Sequence, residues 1–247
     1  MSRVLVDGDI IAYRHSYKAQ SEDLELDEMR ENIDDMISYV ADATTFGGDT
    51  SLMEFYLTGE TNFRTEIATI APYKGTRRSE KPIYLKDGRE YLVQEYGAVT
   101  SVDEEADDLI AIRATELGPS ATIASIDKDF LQVPCKHYNW NRGTHVTVTY
   151  DESVRFFYTQ LLTGDSADNI KGVPNVGPKK AEKILGSMTK EDDMYRACLH
   201  AYSGDLSALT ENARLLWLRR TPGELWEPPV LRRSKSKKKE DNTSEES

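Results

Sequence analysis

The chain has 247 residues, 38% hydrophobic and 30% charged, a balance that suits one or two folded parts and excludes a wholly disordered protein. No run approaches the roughly 18 apolar residues of a bilayer span, and Asp7 follows Met1 too closely for a secretory leader, so no membrane contact and a cytoplasmic location are expected. A formal charge of -12 is unfavourable for a polyanion ligand spread over the whole surface, yet between Tyr73 and Arg89 six basic residues (Lys74, Arg77, Arg78, Lys81, Lys86, Arg89) stand against only Glu80 and Asp87.

In chain order, Arg3 to Val6 is a short apolar run ending at Asp7-Gly8, which reads as a buried strand that delivers a carboxylate to a sheet edge. Within Ser21 to Val40, Met29, Ile33, Met36, Ile37 and Val40 recur at helical spacing with acids between them, an amphipathic helix. Leu52 to Leu57 reads as a second strand. Val102 to Leu117 reads as a helix stopped by Gly118-Pro119, and Ala121 to Ile126 as a third strand. This alternation predicts an α/β layer with a mostly parallel central sheet over residues 1–150, with its site beyond the carboxyl ends of the strands. A hairpin is expected across His137 to Tyr150, after which the chain turns helical from Glu152 to at least Leu185, within a helical region over 151–231 that includes a further helix at Leu206 to Leu218. Residues 232–247 hold no apolar side chain and are expected to form a disordered charged tail, whose basic residues could contact DNA, keep the chain soluble or bind a partner. Cys135 and Cys198 form no CxxC pair and read as buried apolar residues, the four histidines are too scattered for a zinc site, and the tryptophans read as packing.

Acidic groups recur where strands and helices end. Asp7 closes the first strand. Glu105, Asp107 and Asp108 open a helix, with Glu105 and Asp108 on one side of it. Asp127 and Asp129 follow the third strand and would share one of its faces if the strand runs through them. Asp165 and Asp168 follow a helix. Each acid alone is an ordinary cap or dipole partner. Brought together they would repel strongly without a cation, and an oxygen-only ligand set suits Mg²⁺ or Mn²⁺ rather than zinc. Two such ions about 4 Å apart can activate a water and stabilise the leaving oxygen of a phosphodiester.

Two further segments suit phosphate. In Val173-Pro-Asn-Val-Gly-Pro-Lys-Lys-Ala181, Gly177 permits a tight turn, Pro178 suits a first helical position, and Lys179 and Lys180 add charge beside free N–H groups. This looks like the hairpin of a helix-hairpin-helix, the alternative being a plain turn between packed helices. Pro72-Tyr-Lys-Gly-Thr-Arg77 sets Lys74 and Arg77 beside Tyr73, a composition suited to gripping a strand end, although alone it would read as a solvated loop.

Taken in order, Val6-Asp-Gly-Asp-Ile-Ile-Ala-Tyr-Arg14, Tyr73-Lys-Gly-Thr-Arg77, Glu105-Ala-Asp-Asp108, Asp127-Lys-Asp129, Gly164-Asp-Ser-Ala-Asp-Asn169 and Gly172 to Ala181 resemble the motif series of the 5′ nuclease family, over roughly residues 3 to 186. That family includes phage 5′-3′ exonucleases, flap endonucleases and the nuclease domains of bacterial DNA polymerases. The short length and Leu57-Thr-Gly-Glu-Thr-Asn-Phe-Arg64 look most like phage members. The resemblance implies a PIN-like α/β nuclease core with a C-terminal helix-hairpin-helix region, acting in phage DNA replication or processing. It makes Asp7, Glu105, Asp107, Asp108, Asp127, Asp129, Asp165 and Asp168 ligands of two Mg²⁺ or Mn²⁺ ions. Lys74 and Arg77 would contact the scissile phosphate, and Arg14, Tyr73, Gly172, Val173, Val176, Gly177, Lys179 and Lys180 would contact DNA. Hydrolysis would leave 5′ phosphates. One position departs from the pattern: many members carry Asp after the second strand, where this chain has Thr58-Gly59-Glu60, so that either Glu60 substitutes or one metal is held more weakly.

The expected partner is DNA with a 5′ end, flap or nick, with an RNA–DNA hybrid, a replication polymerase and a single-strand-binding protein as further candidates. A monomer is expected, in the host cytoplasm if a phage encodes it. Two other readings stay open: an RNase of the same family that removes RNA primers, and a non-catalytic binder of DNA structures.

Overall fold

The computed structural model describes residues 2–76 and 80–230, so Arg77 and the expected tail over 232–247 lie outside the described residues. In chain order the elements are β1 (Arg3–Asp7), α1 (Gly8–Glu22), α2 (Leu26–Thr44), β2 (Met53–Leu57), α3 (Phe63–Ile67), α4 (Leu85–Tyr96), β3 (Val99–Thr100), α5 (Ala106–Leu117), β4 (Ala121–Ala124), β5 (Lys136–Asn139), β6 (Thr144–Thr147), α6 (Tyr150–Thr163), β7 (Gly164–Asp165), β8 (Ile170–Lys171), α7 (Pro178–Leu185), α8 (Glu191–Ala201) and α9 (Leu206–Leu216).

One sheet runs in the order β3-β2-β1-β4-β5-β6, parallel throughout except for the antiparallel β5–β6 hairpin. Side chains alternate across it, as the two-residue period requires. Val4 and Val6 of β1 meet Ile11, Met29, Ile33, Ile37 and Leu92 from α1, α2 and α4 on one face. Leu5 meets Ala106, Ile110, Ile123 and Phe130 on the other, under α5. Helix on both faces is what lets a parallel sheet bury continuous apolar strands. A separate cluster joins α6 to α9 through Phe157, Tyr158, Leu161, Leu185, Cys198 and Leu209. The central β1 and its neighbour β4 stay in register, Val6 opposite Ala124 and Phe55, which aligns their carboxyl ends along one edge.

The α/β architecture with a mostly parallel sheet is as the sequence predicts, and several local elements differ. Helix α1 is absent from the periodicity because its buried face mixes Ile11 and Ala12 with His15 and Ser16; its start is capped by Asp7, which accepts the Ile10 N–H. Asp23 ends it in the left-handed region at φ 55, so α2 begins at Leu26 rather than Ser21. Helix α5 starts at Ala106, not Val102, because Glu105 and Asp108 close a capping box there. Within the helical stretch from Glu152 to Leu185, α6 and α7 are separated by the β7–β8 hairpin. A Cβ on Gly172 would sit 2.3 Å from the Gly164 nitrogen, an approach only glycine allows. Among the described residues no helix is long and apolar enough to cross a membrane. Cys135 and Cys198 are buried and unbridged, and Trp140 and Trp226 are buried.

Candidate active site

The aligned carboxyl ends open into a cleft of about 1680 Å³, lined on its floor by Asp7, Asp9, Glu105, Asp107 and Asp127 and on its sides by Tyr13, Arg14, Lys74, Lys81, Lys86 and Arg89. Each acid reaches the floor by its own local device. Asp7 leaves β1 while capping α1, and the Ser125 hydroxyl donates to its Oδ2 at 3.2 Å. Glu105 is the N-cap of α5, and Asp107 lies in its first turn. β4 ends at Ala124, so Asp127 does not continue a strand. It caps a 3-10 turn at Lys128–Gln132, accepting the Asp129 N–H at 2.9 Å, and the expected alternation of Asp127 and Asp129 on a strand face is corrected accordingly.

Crowding shows in the acidities. Burial, then Asp9 and Asp127, push the Asp7 carboxyl up to about 7. Burial, then Asp7, Glu105 and Asp127, raise Asp107 well above its ordinary value, with Lys74 acting the other way. Such mutual repulsion among oxygen donors is what a hard divalent cation relieves.

A second acidic group lies beside the first. Burial and Asp127 push Asp129 up to about 7, with Asp165 and Asp168 adding to the effect. Asp165, buried in β7, turns the loop by accepting the Ala167 N–H at 2.7 Å and faces Lys128 Nζ at 3.4 Å. Asp168 shares the Tyr73 hydroxyl proton with Glu105, at 2.9 and 2.8 Å. Among the described residues no three His, Cys, Asp or Glu side chains are yet closed to ligand spacing. Protein cations and hydrogen bonds hold them instead: Lys74 on Glu105, Lys128 on Asp165, and Gln160 on Asp129. The donor chemistry matches Mg²⁺ or Mn²⁺, and these side chains would have to exchange protein partners for the ion.

Asp108 departs from the expected ligand set. It points away from the cleft, 0% exposed, in a two-bond pair with Arg64 at 2.5 and 2.8 Å, and also accepts the Arg219 N–H. Burial pushes its carboxyl up, but the Arg64 guanidinium wins and holds it below the usual range. One helical step from Asp107 turns the side chain about 100° into the core, so Asp108 is a structural anion here.

The other predicted residues are distributed as follows. Lys74 reaches the floor from a loop where its own φ is +54, its N–H donating to the Asp168 carbonyl at 2.9 Å. Arg14 is exposed on the rim and donates to Asn141. Tyr73 packs against the helical cluster with its hydroxyl on the two carboxylates, so it serves the acids rather than an open groove. Some 10 residues beyond the second acidic group in sequence, Gly177 caps α7, and Gly177, Lys179 and Lys180 are exposed while Val173 and Val176 pack on the helical cluster. Gly172 fills the close approach to β7 described above. Glu60 is exposed on the cleft rim, and the Thr58 N–H is taken by Asp9 at 2.8 Å.

Sequence reasoning missed Asp9, Arg64 and Arg89. Arg89 of α4 pairs with Asp9 and donates to the Thr58 carbonyl, closing the end of β2. Asp9 sits in the quoted Asp-Gly-Asp, two residues from Asp7, which was a usable signal; Arg64 had none, because only the fold brings it to Asp108.

Over 135 residues the chain is 36% identical to flap endonuclease Xni of Shewanella piezotolerans, covering 47% of this chain and 52% of that one. Its fold is similar to T5 5′-exonuclease with bound divalent zinc ions (TM-score 0.66, 18% identity, 87% of this chain and 89% of that one). It is likewise similar to a bacteriophage T5 flap endonuclease solved with DNA and metal ions (TM-score 0.62, 17% identity, the same coverage). In sequence this chain resembles flap endonucleases of the 5′ nuclease family, and in fold it resembles the T5 5′-exonuclease. No family model matches the chain. The chain spans about half the length of the curated 5′ nuclease relatives it matches.

Proposed function

We propose that this protein is a divalent-metal-dependent 5′ nuclease that hydrolyses DNA phosphodiesters as a flap endonuclease and 5′-3′ exonuclease. One observation carries the reading: Asp7, Glu105, Asp107 and Asp127, from three separate elements, meet on the floor of a single cleft with Arg14, Lys74, Lys81, Lys86 and Arg89 on its sides. An acidic floor would repel a phosphate backbone unless cations stood between them, whereas basic walls attract it. The DNA-bound and metal-bound states of the T5 proteins agree with this assignment.

In this reading Asp7, Glu105, Asp107 and Asp127 hold one ion, and Asp129, Asp165 and Asp168 a second. Mg²⁺ or Mn²⁺ bound there would supply Lewis acidity toward the phosphate and an attacking water. The remaining work falls to side chains of the chain itself. Lys74, now on Glu105 and 3.9 Å from Asp168, is released toward the scissile phosphate when the acids turn to the ions. Arg14, Lys81, Lys86 and Arg89 steer the strand into the cleft. Lys179 and Lys180, with the amino end of α7, hold the duplex by its backbone, in the manner of a helix-hairpin-helix. We divide the chain for these tasks into a nuclease core over 1–150 and a duplex-binding helical region over 151–231. Replication or repair of a phage or bacterial genome is the setting such an activity serves.

The test is cleavage of a labelled 5′-flap duplex beside nicked and blunt duplexes and an RNA–DNA hybrid, in Mg²⁺, in Mn²⁺ and in chelator. Release of 5′ fragments in metal alone is the expected result, with fragment length separating flap cutting from exonuclease action. Binding without cutting in either metal would overturn it in favour of a non-catalytic DNA binder, and preferential cutting of the hybrid in favour of an RNase.

A further inference from the structure

Behind the second acidic group lies a run of buried amides to which the reaction above assigns no task. Gln160, on the inward face of α6 and 5% exposed, donates from Nε2 to Asp129 Oδ1 at 2.7 Å. Its Oε1 accepts from Nε2 of Gln132, itself 2% exposed, at 2.8 Å. Gln132 Nε2 also donates to the Leu216 carbonyl at 2.8 Å, and its Oε1 faces the Leu218 N–H at 3.4 Å.

The run has only one sense. Main-chain groups at 216 and 218 are a fixed acceptor and a fixed donor, so the Gln132 amide has a single orientation that satisfies both. Nε2 of Gln132 then meets Gln160 and requires its oxygen, which turns the Gln160 N–H groups onto Asp129. Flipping either amide would oppose like groups in a buried place, where water cannot satisfy the unpaired polar atoms. The 3-10 turn, α6 and the segment after α9 therefore agree on one orientation of a carboxylate. An apolar pair of the same size would fill the space without that consequence.

We infer that Gln160 is a positioning residue, which binds Oδ1 of Asp129 and so presents Oδ2 to a cation, with Gln132 linking that orientation to the main chain at 216–218. The inference rests on the proposed nuclease reading, in which Asp129 is a metal ligand. It adds a residue type that no charge pattern marks and ties the second ion to the C-terminal segment.

The experiment uses the full chain, Mn²⁺ alone as the probe, and two variants of near-equal volume, Gln160→Met and Gln132→Met. Mn²⁺ binding is measured by electron paramagnetic resonance, flap cutting as kcat and KM, DNA binding in chelator, and folding by circular dichroism. For Gln160→Met we expect ~10- to 100-fold weaker Mn²⁺ binding and a kcat lowered to a similar degree, as for lost partners of metal ligands, with KM and chelator-state DNA binding unchanged. Gln132→Met should move the same two readouts in the same direction by less. A folded Gln160→Met with wild-type Mn²⁺ affinity and kcat overturns the inference; if that variant does not fold, wild-type values in Gln132→Met overturn it. A wild-type chain that binds no Mn²⁺ overturns the nuclease reading itself, whereas binding equal in wild type and variants removes only the positioning role.

Discussion

The two acidic groups carry the same chemistry on different supports. Asp7, Glu105 and Asp127 stand on backbone devices: a strand end, a capping box and a turn cap, each fixed within a few residues. Asp129 and Asp168 lean on Gln160 and the Tyr73 hydroxyl from elements remote in sequence, and Asp165 adds Lys128 to its local turn. A parallel sheet gathers strand ends along one edge by its topology, so the first group is assembled wherever the fold forms. The second depends on α6 and the β7–β8 hairpin docking correctly, and it is the group more exposed to substitutions at a distance.

The sharpest contrast should come from one acid in each group. Asp127→Ala is expected to reduce flap cutting to the level seen in chelator while DNA binding in chelator persists, and Asp165→Asn to lower kcat by a lesser ~10- to 100-fold; equal losses in a side-by-side assay would erase the distinction. Next in size is Arg64→Met, which leaves Asp108 charged and alone in the core. Breaking such a buried pair should lower stability by about 3–5 kcal/mol in denaturant melts, and Arg64→Met with Asp108→Leu should recover part of that.

A smaller handle on the strand-end region is His15 of α1, which burial, then Arg14 and Lys18, push down to about 4 from an ordinary 6.5. The unfolded chain takes its proton first as pH falls. The contribution of the neutral, buried His15 is therefore complete above pH 6.5, declines between 6.5 and 4, and is exhausted below. His15→Leu should flatten that limb of the stability–pH curve by about 2 kcal/mol after allowance for solvent screening; an unchanged limb would remove His15 as its cause. The smallest effect should be Lys128→Met. Its ammonium sits 3.4 Å from Asp165 on a side chain 66% exposed, and thermal melts should shift by less than about 1 kcal/mol.

Legibility followed the same division. Asp7, Asp107 and Asp127 could be placed at a sheet edge from the sequence because strand ends and helix starts are announced within a few residues, by apolar runs, Gly and capping acids. Where the third strand stops before Asp127, and where the helical stretch after Glu152 is interrupted, non-local groups decide. Ser125 turns its hydroxyl to Asp7 and to the Asp127 N–H, and Gly164 meets Gly172 across a hairpin. The Glu-Ala-Asp-Asp motif shows the limit most plainly. The sequence offers Asp107 and Asp108 as equals, and their fates separate because an arginine 44 positions before Asp108 lies on the core side of the helix.

By itself, then, the sequence determined the alternating α/β order, the parallel sheet, the supply of carboxylates at element ends and the basic segment facing them, all of which follow from short-range periodicity and capping chemistry. Only the tertiary structure decided which acids face the cleft, that Asp108 is neutralised by Arg64, that Asp9 and Arg89 close the end of β2, and that buried Gln160, backed by Gln132, reaches Asp129. These depend on contacts between residues dozens of positions apart, where burial and pairing set each charge, and no local pattern encodes which partner will arrive.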